Sequence, residues 1–262
     1  MKVALHGATG RMGLALARLI RAADDLELVG AVCASDDPAE GKDVGELAGV
    51  GALGVSATAD LGSALLGADA VIDFSTASAV PGLLAATARR GLAVVSGTTN
   101  LDDAGRAALD KASRAAPVLW AANMSLGVQV LAEIVKHAVD RLGPGFDVEL
   151  VEVHHRRKVD SPSGTARRLV EAVRSARAGV RELHGRDGEV GARTDDELAV
   201  FGVRGGDVVG DHTVHLLGLG ERLELTHRAT SRELFAHGAL RAARFLIGKA
   251  PGRYTVADVL GS

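Results

Sequence analysis

The first 22 residues constrain the fold more than any other stretch of this chain. They read MKVALHGATGRMGLALARLIRA: a short apolar run, three evenly spaced glycines, and then apolar residues at helical spacing. This order predicts a strand, a tight turn through Gly7, Gly10 and Gly13, and a helix. A turn without side chains lets backbone N–H groups approach a phosphate at the positive end of the helix. The G-x-x-G-x-x-G spacing differs from the usual G-x-G-x-x-G, so a plain tight turn stays an alternative.

Four later segments run from apolar residues into small or hydroxyl residues, and helical patterns separate them. They are LELVGAVCAS, DAVIDFST, LAVVSGTT and PVLWAANMS. In a parallel sheet such carboxyl ends lie along one edge, where doubly wound folds bind their ligands. One such end could be only a helix cap, but four in succession favour a nucleotide crevice. Aromatic residues make up only 3% of the chain, so Ala, Val and Leu must fill the core, as in a helix-covered parallel sheet.

The second of these strands lacks an acid at its end. An Asp or Glu about 20 residues beyond the glycines normally binds the ribose of NAD. Here Val32–Ser35 read VCAS, and Asp36 and Asp37 come slightly late. No arginine stands at that position for a 2′-phosphate, and Arg11 and Lys42 are the nearest candidates. The sequence therefore leaves the choice between NADH and NADPH open and predicts weak discrimination between them.

From Phe146 the pattern changes to FDVELVEVH, whose alternation predicts a strand of a mostly antiparallel sheet with one open face. The predicted fold class is α/β, with an N-terminal Rossmann-like parallel-sheet dinucleotide domain and a smaller α+β substrate and oligomerisation domain. We place the first at residues 1–125, completed by the C-terminal segment 235–262, and the second at residues 126–234. The amphipathic run LRAARFLIG is long enough for a helix in that closing segment.

Residues 152–166, EVHHRRKVDSPSGTA, gather most of the side chains that could carry chemistry. The strand alternation places Glu152 and His154 on one face and His155 on the other. Ser163 stands where the N-cap of the following helix is expected. A helix N-terminus beside two histidines and three basic residues predicts a receptor for a carboxylate or a phosphate. The substrate should therefore be an anion.

Three other interpretations of this stretch are weaker. Adjacent histidines can bind Zn²⁺, but a zinc site normally needs three or four ligands and the neighbouring cations would oppose it, so we predict no metal. A nucleophilic Ser161 or Ser163 lacks the G-x-S-x-G elbow of hydrolases. A solvated basic loop would explain the arginines but not the Ser-Gly-Thr turn that follows them.

Charge and composition narrow the class of protein. A net charge of −3 argues against a nucleic-acid binder, and no apolar run approaches the roughly 20 residues that span a bilayer. The single cysteine, Cys33, and an N-terminus without an apolar signal core predict a cytoplasmic location. A redox-sensing nucleotide-binding regulator would need a nucleic-acid-binding segment, which the sequence does not offer. Another two-domain reductase of an acidic imine or aldehyde stays open as the main alternative enzyme.

Residues 152–166 resemble the E-x-H-H-x-x-K-x-D-x-P-S-G-T-A signature of the 4-hydroxy-tetrahydrodipicolinate reductase family, the dihydrodipicolinate reductases. The likeness continues, in the family's order, through GATGRMG, GTT, AAN, VRGGDVVGDHTV and GERLELTHRATSRELFAHGA, and so covers nearly the whole chain. It implies an oxidoreductase of lysine and diaminopimelate biosynthesis, which reduces a cyclic dicarboxylate with NADPH or NADH. It also implies a homotetramer assembled through the second domain.

The resemblance further implies roles for individual residues. His154 and Lys158 correspond to the family's proton-transfer pair. The binders of the substrate carboxylates correspond to His155, Ser163, Gly164 and Thr165. The cofactor contacts correspond to Gly7, Ala8, Thr9, Gly10, Arg11, Met12, Gly97, Thr98, Thr99, Ala121, Ala122, Asn123 and Met124. This chain departs from the family at two cofactor positions, because Cys33 stands where many members carry an acid and Met124 where an aromatic residue is common.

Overall fold

The computed structural model of the chain describes residues 1–261, which form two compact units. One unit contains Met1–Met124 and the C-terminal segment from Glu233, and the other contains Ser125–Arg232. Within the described residues, no helix is both long and apolar enough to cross a membrane.

The strands form two sheets. In chain order they are β1 (Lys2–His6), β2 (Glu27–Val32), β3 (Ala57–Thr58), β4 (Ala70–Asp73), β5 (Ala93–Ser96), β6 (Pro117–Trp120), β7 (Asp147–His154), β8 (Arg181–Leu183), β9 (Glu197–Arg204), β10 (Gly210–Gly218), β11 (Glu221–Ala229) and β12 (Gly252–Tyr254). The first unit holds a seven-stranded sheet in the order β12-β6-β5-β4-β1-β2-β3. The second unit holds a five-stranded sheet in the order β11-β10-β7-β9-β8.

Helices connect and cover these strands. In chain order they are α1 (Arg11–Arg21), α2 (Val44–Ala48), α3 (Leu61–Ala64), α4 (Val80–Ala88), α5 (Asp103–Ala112), α6 (Leu126–Leu142), α7 (Gly164–Ala176), α8 (Glu233–Leu246) and α9 (Val256–Leu260). Several begin at a side-chain cap, as at Asp43, Asp60 and Asp102, whose carboxylates accept hydrogen bonds from N–H groups of the first turn.

The sheet of the first unit is parallel at every pairing. Its strand order reverses between β1 and β4, which is the doubly wound arrangement, and the carboxyl ends of the strands share one edge. All four residues of β4 and of β5 are buried, as expected for strands covered by helices on both faces. The predicted Rossmann-like fold class is confirmed.

Helix α8 belongs to the first unit and contacts β4 and β5. Gly238 of this helix lies directly against the backbone carbonyl of Met124, where any side chain would collide. The apolar run that we expected to form a closing helix therefore packs on the parallel sheet.

The second sheet is mixed, which corrects our expectation of a mostly antiparallel one. Strand β10 pairs antiparallel with β7 and β11, whereas β9 pairs parallel with β7 and β8. The parallel pairs arise because helix α7 carries the chain back between β7 and β8, which is the connection that parallel strands require. One face carries the core of the unit, where Val148, Leu150 and Val214 of the sheet belong to the same buried cluster as Leu169 of α7 and Val135 of α6.

Candidate functional site

The predicted glycine turn joins β1 to α1. Gly7 has a φ of +76°, and a Cβ there would lie 2.6 Å from the carbonyl oxygen of Phe74. Helix α1 begins at Arg11 after Gly10, and no side chain of the described residues caps its first turn. The N–H groups of that turn and the positive end of the helix dipole suit a phosphate.

Asp73, at the end of β4, is hydrogen-bonded to residues at the ends of β1 and β5. Its buried carboxylate bonds His6 Nδ1 of β1 at 2.8 Å and accepts from Ser96 Oγ of β5 at 2.6 Å. Thr98 Oγ1 donates to it at 2.8 Å, and Ser75 donates through its N–H at 3.1 Å and its Oγ at 2.5 Å. Burial alone would raise the pKa of Asp73, but the hydrogen bonds and the His6 ring lower it below its ordinary value. This network holds the loops after β4 and β5 at the ligand edge of the sheet.

The predicted cofactor-binding residues all follow β1, β5 or β6 at this edge, with different exposure. The exposed ones are Gly10, Arg11, Thr99 and Ala122, the half-buried ones Gly7, Thr9, Met12, Gly97, Ala121 and Asn123, and the buried ones Ala8, Thr98 and Met124. The Thr98 hydroxyl donates to Asp73 and accepts from the N–H of Ser75, so it has no hydrogen left to donate to a ligand.

Asp37, which comes late after β2 in the sequence, folds back onto the glycine turn. Its Oδ2 accepts from Thr9 Oγ1 at 2.5 Å, and its Oδ1 accepts from the N–H of Ala39 at 2.9 Å. These two hydrogen bonds lower the pKa of Asp37, so the carboxyl is ionised at neutral pH. An acid therefore reaches the region where nucleotide folds bind the ribose.

Glu152 and His154 lie on the helix-covered face of β7, as the alternation predicts. The strand register sets Glu152 opposite His212 of β10, and His154 opposite Arg204 of β9. Directly opposite residues share a face of the sheet, so the four side chains form one cluster. Gly210 leaves room for it, since a Cβ there would lie 2.9 Å from His154 Nε2.

Glu152 is the buried anion of this cluster. Its Oε1 accepts from Arg204 Nη2 at 2.7 Å, its Oε2 accepts from the N–H of Ser163 at 3.1 Å, and His212 Nε2 lies 3.6 Å from Oε2. Burial alone would raise the pKa of Glu152, but His212, Ser163 and Arg204 outweigh burial and hold it well below its usual range. Glu152 is therefore a carboxylate at neutral pH.

His154 is buried beside that anion. Its Nδ1 lies 3.6 Å from Glu152 Oε2, and its ring meets the His212 ring edge-on with centroids 5.0 Å apart. Burial lowers the pKa of His154 to about 4, and repulsion from His212 and Lys158 adds to this effect against the attraction of Glu152. Since the ordinary value is about 6.5, His154 is neutral at pH 7 before substrate binds.

The depressed pKa of His154 predicts that the protein loses stability on acidification. Between pH 6.5 and 4 the unfolded chain binds a proton at this histidine that the folded chain does not, so the free energy of unfolding falls as the pH falls. The loss attributable to His154 should be about 2 kcal/mol between pH 7.5 and pH 5. Urea unfolding of the wild type and of His154→Gln gives the free energy of unfolding at both pH values. The loss due to His154 is the amount by which this free energy falls more in the wild type than in the variant. Equal pH dependence in the two proteins would contradict the assignment.

Lys158 lies in the turn that follows β7. Its N–H donates to the carbonyl of His155 at 3.0 Å, and its Nζ donates to both carboxylate oxygens of Asp160, at 2.8 and 3.0 Å. The Lys158 side chain is 19% exposed, whereas that of Asp160 is 51% exposed. A primary ammonium is thus held at the edge of the buried cluster, within reach of solvent.

Helix α7 begins at Gly164 with Ser163 as its N-cap, as predicted. Ser163 Oγ accepts from the N–H of Ala166 at 3.1 Å and also lies 3.0 Å from His212 Nε2. Ser163 is buried, Gly164 is exposed and Thr165 is half-buried. The first turn of α7 therefore opens to solvent at Gly164 while its cap is anchored in the cluster.

His155 turns away from His154. Its Nε2 pairs with Arg232 Nη2 at 3.0 Å, and its N–H donates to the carbonyl of Val208 at 2.8 Å. His154 and His155 are adjacent in the sequence but contact different residues, so they do not form a pair of metal ligands.

A different trio has the donor set of a metal site. Glu152, His154 and His212 each offer a ligand atom, and these atoms lie within 4.8 Å of one another. Glu152 already accepts from Arg204 and Ser163, and His212 Nε2 already bonds the Ser163 hydroxyl. The nearby guanidinium also opposes a second cation, so the trio is better suited to a hydrogen-bonded network than to a metal.

Sequence reasoning did not identify several members of these clusters as functional candidates. His6, Asp73 and Ser96 come together from three strands, and His212 and Arg204 come from strands remote from the EVHHRRK segment. The alternation DHTVHLLG offered one signal, since it sets His212 on the same face as the buried Val214 and Leu216.

Comparisons with known proteins agree along the whole chain. A family model described as dihydrodipicolinate reductase, N-terminus, matches residues 1–124, and one described as dihydrodipicolinate reductase, C-terminus, matches residues 127–260. The 4-hydroxy-tetrahydrodipicolinate reductase of Anaeromyxobacter dehalogenans strain 2CP-1 is 49% identical over 263 residues, which cover 99% of this chain and 97% of that protein. That of Syntrophotalea carbinolica is 45% identical over 264 residues, which cover 100% of this chain and 99% of that protein.

A solved structure has the same fold. It is described as dipicolinate-bound dihydrodipicolinate reductase from Paenisporosarcina sp. TG-14, and it aligns with a TM-score of 0.79 over 98% of both chains at 20% identity. A structure of amine dehydrogenase from Mycobacterium smegmatis aligns with a TM-score of 0.61 at 12% identity, over 98% of this chain and 95% of that one. At these identities the likeness concerns the fold alone.

Proposed function

The chain belongs to the dihydrodipicolinate reductase family, and from that premise we propose how its residues divide the reaction between them. It is an NAD(P)H-dependent oxidoreductase that reduces 4-hydroxy-tetrahydrodipicolinate in lysine and diaminopimelate biosynthesis. The observation that carries the proposal is that Glu152 and Ser163 of this segment, which share a hydrogen bond, join the N-cap of α7 to the buried cluster that contains His154.

The substrate is a ring with two carboxylates, and the substrate domain, for which we propose residues 126–234, binds it. The N–H groups of Gly164 and Thr165 at the start of α7, together with the Thr165 hydroxyl, hold one carboxylate, supported by the positive end of the helix dipole. Ser163 and His155 complete the set of carboxylate binders. A small ligand with two anionic groups explains why basic residues are concentrated in this segment. It also explains why the start of α7 is exposed at Gly164.

Lys158 donates the proton that the reduction requires, with His154 as its partner. Loss of the 4-hydroxyl group as water leaves an unsaturated carbon, hydride addition to that carbon makes the neighbouring carbon basic, and a positioned acid completes the step. The free enzyme carries His154 as a neutral imidazole because its pKa is lowered to about 4. The proton available at pH 7 therefore comes from the ammonium of Lys158, and the dianionic substrate makes His154 easier to protonate once it binds.

The dinucleotide domain, for which we propose residues 1–125 with 235–262, binds the nicotinamide cofactor, which supplies hydride when bound. The uncapped first turn of α1 and the missing side chain at Gly7 fit a pyrophosphate. The remaining cofactor contacts are assigned to Ala8 through Met12, Gly97 through Thr99 and Ala121 through Met124. The chain accepts both NADH and NADPH.

Asp37 should influence the cofactor preference. Its ionised carboxylate suits a ribose with free hydroxyls and repels a 2′-phosphate, so Asp37→Ala should weaken NADH binding several-fold and leave NADPH binding unchanged or improved. Fluorescence titration of each cofactor gives both dissociation constants without turnover. Asp36→Ala is the matched control, since Asp36 is the exposed neighbour. A parallel change for both cofactors in Asp37→Ala would show that Asp37 does not sense the 2′-position.

One assay tests the proposed function as a whole. The condensation product of pyruvate and aspartate semialdehyde is supplied with NADH or NADPH, and the absorbance at 340 nm should fall. No decrease with either cofactor would remove the proposal. Turnover of an unrelated acidic imine at a higher kcat/KM would instead favour the alternative of another two-domain reductase.

The open face of the second sheet supports assembly of the chain into a homotetramer. Val203 is 48% exposed and Leu217 36% exposed, and Thr213 and Thr226 share a hydrogen bond of 3.1 Å across neighbouring strands. Burying such apolar and hydroxyl groups against a second copy of the sheet would stabilise an oligomer. Light scattering at micromolar concentration should report the tetramer, and a monomer would rule it out.

A cytoplasmic location belongs to the same proposal, because the reaction draws on the cell's reduced nicotinamide pool.

A further inference from the structure

We infer that His212 is a positioning residue: it holds Ser163 as a hydrogen-bond donor at the start of α7, in the form that binds a substrate carboxylate. The inference deepens the proposed function and rests on it, because it takes the start of α7 as a carboxylate site. His212 is only 3% exposed, and it comes from β10, outside the segment that carries the family signature.

The surroundings of His212 decide which ring nitrogen carries the proton. Nε2 lies 3.0 Å from Ser163 Oγ and 3.6 Å from Glu152 Oε2, and both atoms can accept a hydrogen bond. Nδ1 is buried and has no hydrogen-bond partner among the described residues. A buried N–H without an acceptor is rarer in proteins than an acceptor without a donor. The proton therefore belongs on Nε2, facing Ser163 and Glu152.

This tautomer dictates how Ser163 uses its hydroxyl. A serine hydroxyl has one hydrogen to donate and two lone pairs to accept with. Ser163 Oγ accepts from the N–H of Ala166, at 3.1 Å, and from Nε2–H of His212. Both lone pairs are then occupied, so the hydrogen of Ser163 is left to donate to a ligand. In the opposite tautomer, the Ser163 hydroxyl would donate its hydrogen to Nε2 of His212 and would have none left for a ligand.

Glu152 fixes the same arrangement from the other side. Its carboxylate accepts the backbone N–H of Ser163 at 3.1 Å, which sets the direction of the chain entering α7. Its negative charge also favours a proton on the nearby Nε2 of His212. Serine hydroxyl and carboxylate both approach one nitrogen, whereas a hydrolase triad uses opposite nitrogens of the ring. Ser163 is consequently a donor and not an activated nucleophile.

The tautomer can be observed directly in the wild-type protein. The ¹⁵N spectrum of the histidine side chains, with His212 assigned by its absence in a variant, should give the pattern of an Nε2–H ring. An Nδ1–H ring at His212 would overturn the inference without any substitution in the protein being measured.

The effect on binding is measured with dipicolinate, an unreactive planar ring with two carboxylates. In His212→Leu we expect the dissociation constant of dipicolinate and the KM of the substrate to rise by about 10-fold, because the donor at Ser163 is misdirected. The kcat should change by less than about 3-fold, because the contact is the same in the ground and transition states. NADH binding should not change. A fall in kcat as large as the rise in KM would overturn the positioning role.

Coupling to Ser163 separates positioning from a general loss of structure. In a Ser163→Ala background, His212→Leu should add less than about 2-fold to the dissociation constant of dipicolinate, since the group it acts through is already absent. His212→Gln, whose side-chain N–H can still donate, should recover part of the affinity. His137→Leu, at an exposed histidine of α6, is the matched control and should bind like the wild type. Additive effects of the two substitutions would overturn the inference.

The outcome distinguishes this inference from the function on which it rests. If the wild type binds dipicolinate and His212→Leu binds it equally well, the inference is wrong and the carboxylate site stands. If the wild type binds no dipicolinate, the proposed site at the start of α7 is itself wrong, and the inference fails with it.

Discussion

We expect Lys158→Ala to lower kcat by about 10²-fold or more, because general acid catalysis typically contributes 10²- to 10⁴-fold. The pKa of His154 is lowered to about 4 in the free enzyme, so His154 is a neutral imidazole at pH 7 and the proton is assigned to Lys158. NADH binding, followed by fluorescence, should be unchanged. A small primary amine added to the Lys158→Ala enzyme should restore part of the rate, because it can occupy the vacated position as an ammonium.

Two comparison variants define what this result means. Lys136→Ala removes the same charge from an exposed position of α6 and should keep the wild-type kcat. Thr165→Val should chiefly raise KM, because a hydrogen bond to a charged group is worth about 1.5 to 3 kcal/mol and is made in the ground and transition states alike. A near-normal kcat of Lys158→Ala at saturating substrate would contradict the proposal, because the basic residues would then only bind the substrate.

The second large effect concerns stability. Asp73→Ala should destabilise the first unit by about 3 to 5 kcal/mol, because each buried polar group left without its hydrogen-bond partner costs about 1 to 3 kcal/mol. The substitution leaves His6, Ser96 and Thr98 with buried polar groups and no carboxylate to receive them. Trp120, the single tryptophan, donates its indole N–H to the carbonyl of Thr98 at 2.8 Å and reports on the same network. Urea unfolding followed by its fluorescence measures the loss.

Two further variants test the origin of that loss. Asp73→Asn keeps the shape of the side chain but not its charge, so it should destabilise the unit by less than Asp73→Ala. Asp24→Ala, at an exposed position of the same unit, should leave the unfolding midpoint unchanged. Equal stability of Asp73→Ala and wild type would mean that water satisfies the network without the carboxylate.

Much of the fold was predictable because its determinants are local. The run KVALH, the glycine turn and the helical spacing after it specify β1, the turn and α1 from neighbouring residues alone. The alternation of FDVELVEVH likewise predicted the strand β7 and its two faces. The direction of the strands in the second sheet was not local. An alternating strand can pair in parallel or antiparallel, so its sequence does not specify the direction. The parallel pairing of β7 with β9 is determined by the crossover through α7.

The candidate site divides in the same way. Lys158 and Ser163 carry residue types and spacings that a sequence motif displays, and the family resemblance built on them is confirmed along the chain. Asp37 comes slightly late after the second strand in the sequence, and its contact with Thr9 could not be predicted because it depends on the path of the loop after β2. His155 stands beside His154 in the sequence, yet it pairs with Arg232.

The sequence by itself determined the backbone conformations and the faces of its strands: the positive φ at Gly7, the cap at Ser163, and the common face of Glu152 and His154. These depend on the stereochemistry of a few adjacent residues. Only the tertiary structure decided which distant groups meet and how deeply they are buried, as for Asp73 with His6 and for Glu152 with His212. Strand order and register set those distances, and burial sets the local dielectric, so the neutral His154 and the ionised Glu152 are properties of the assembled sheet and not of the EVHHRRK motif.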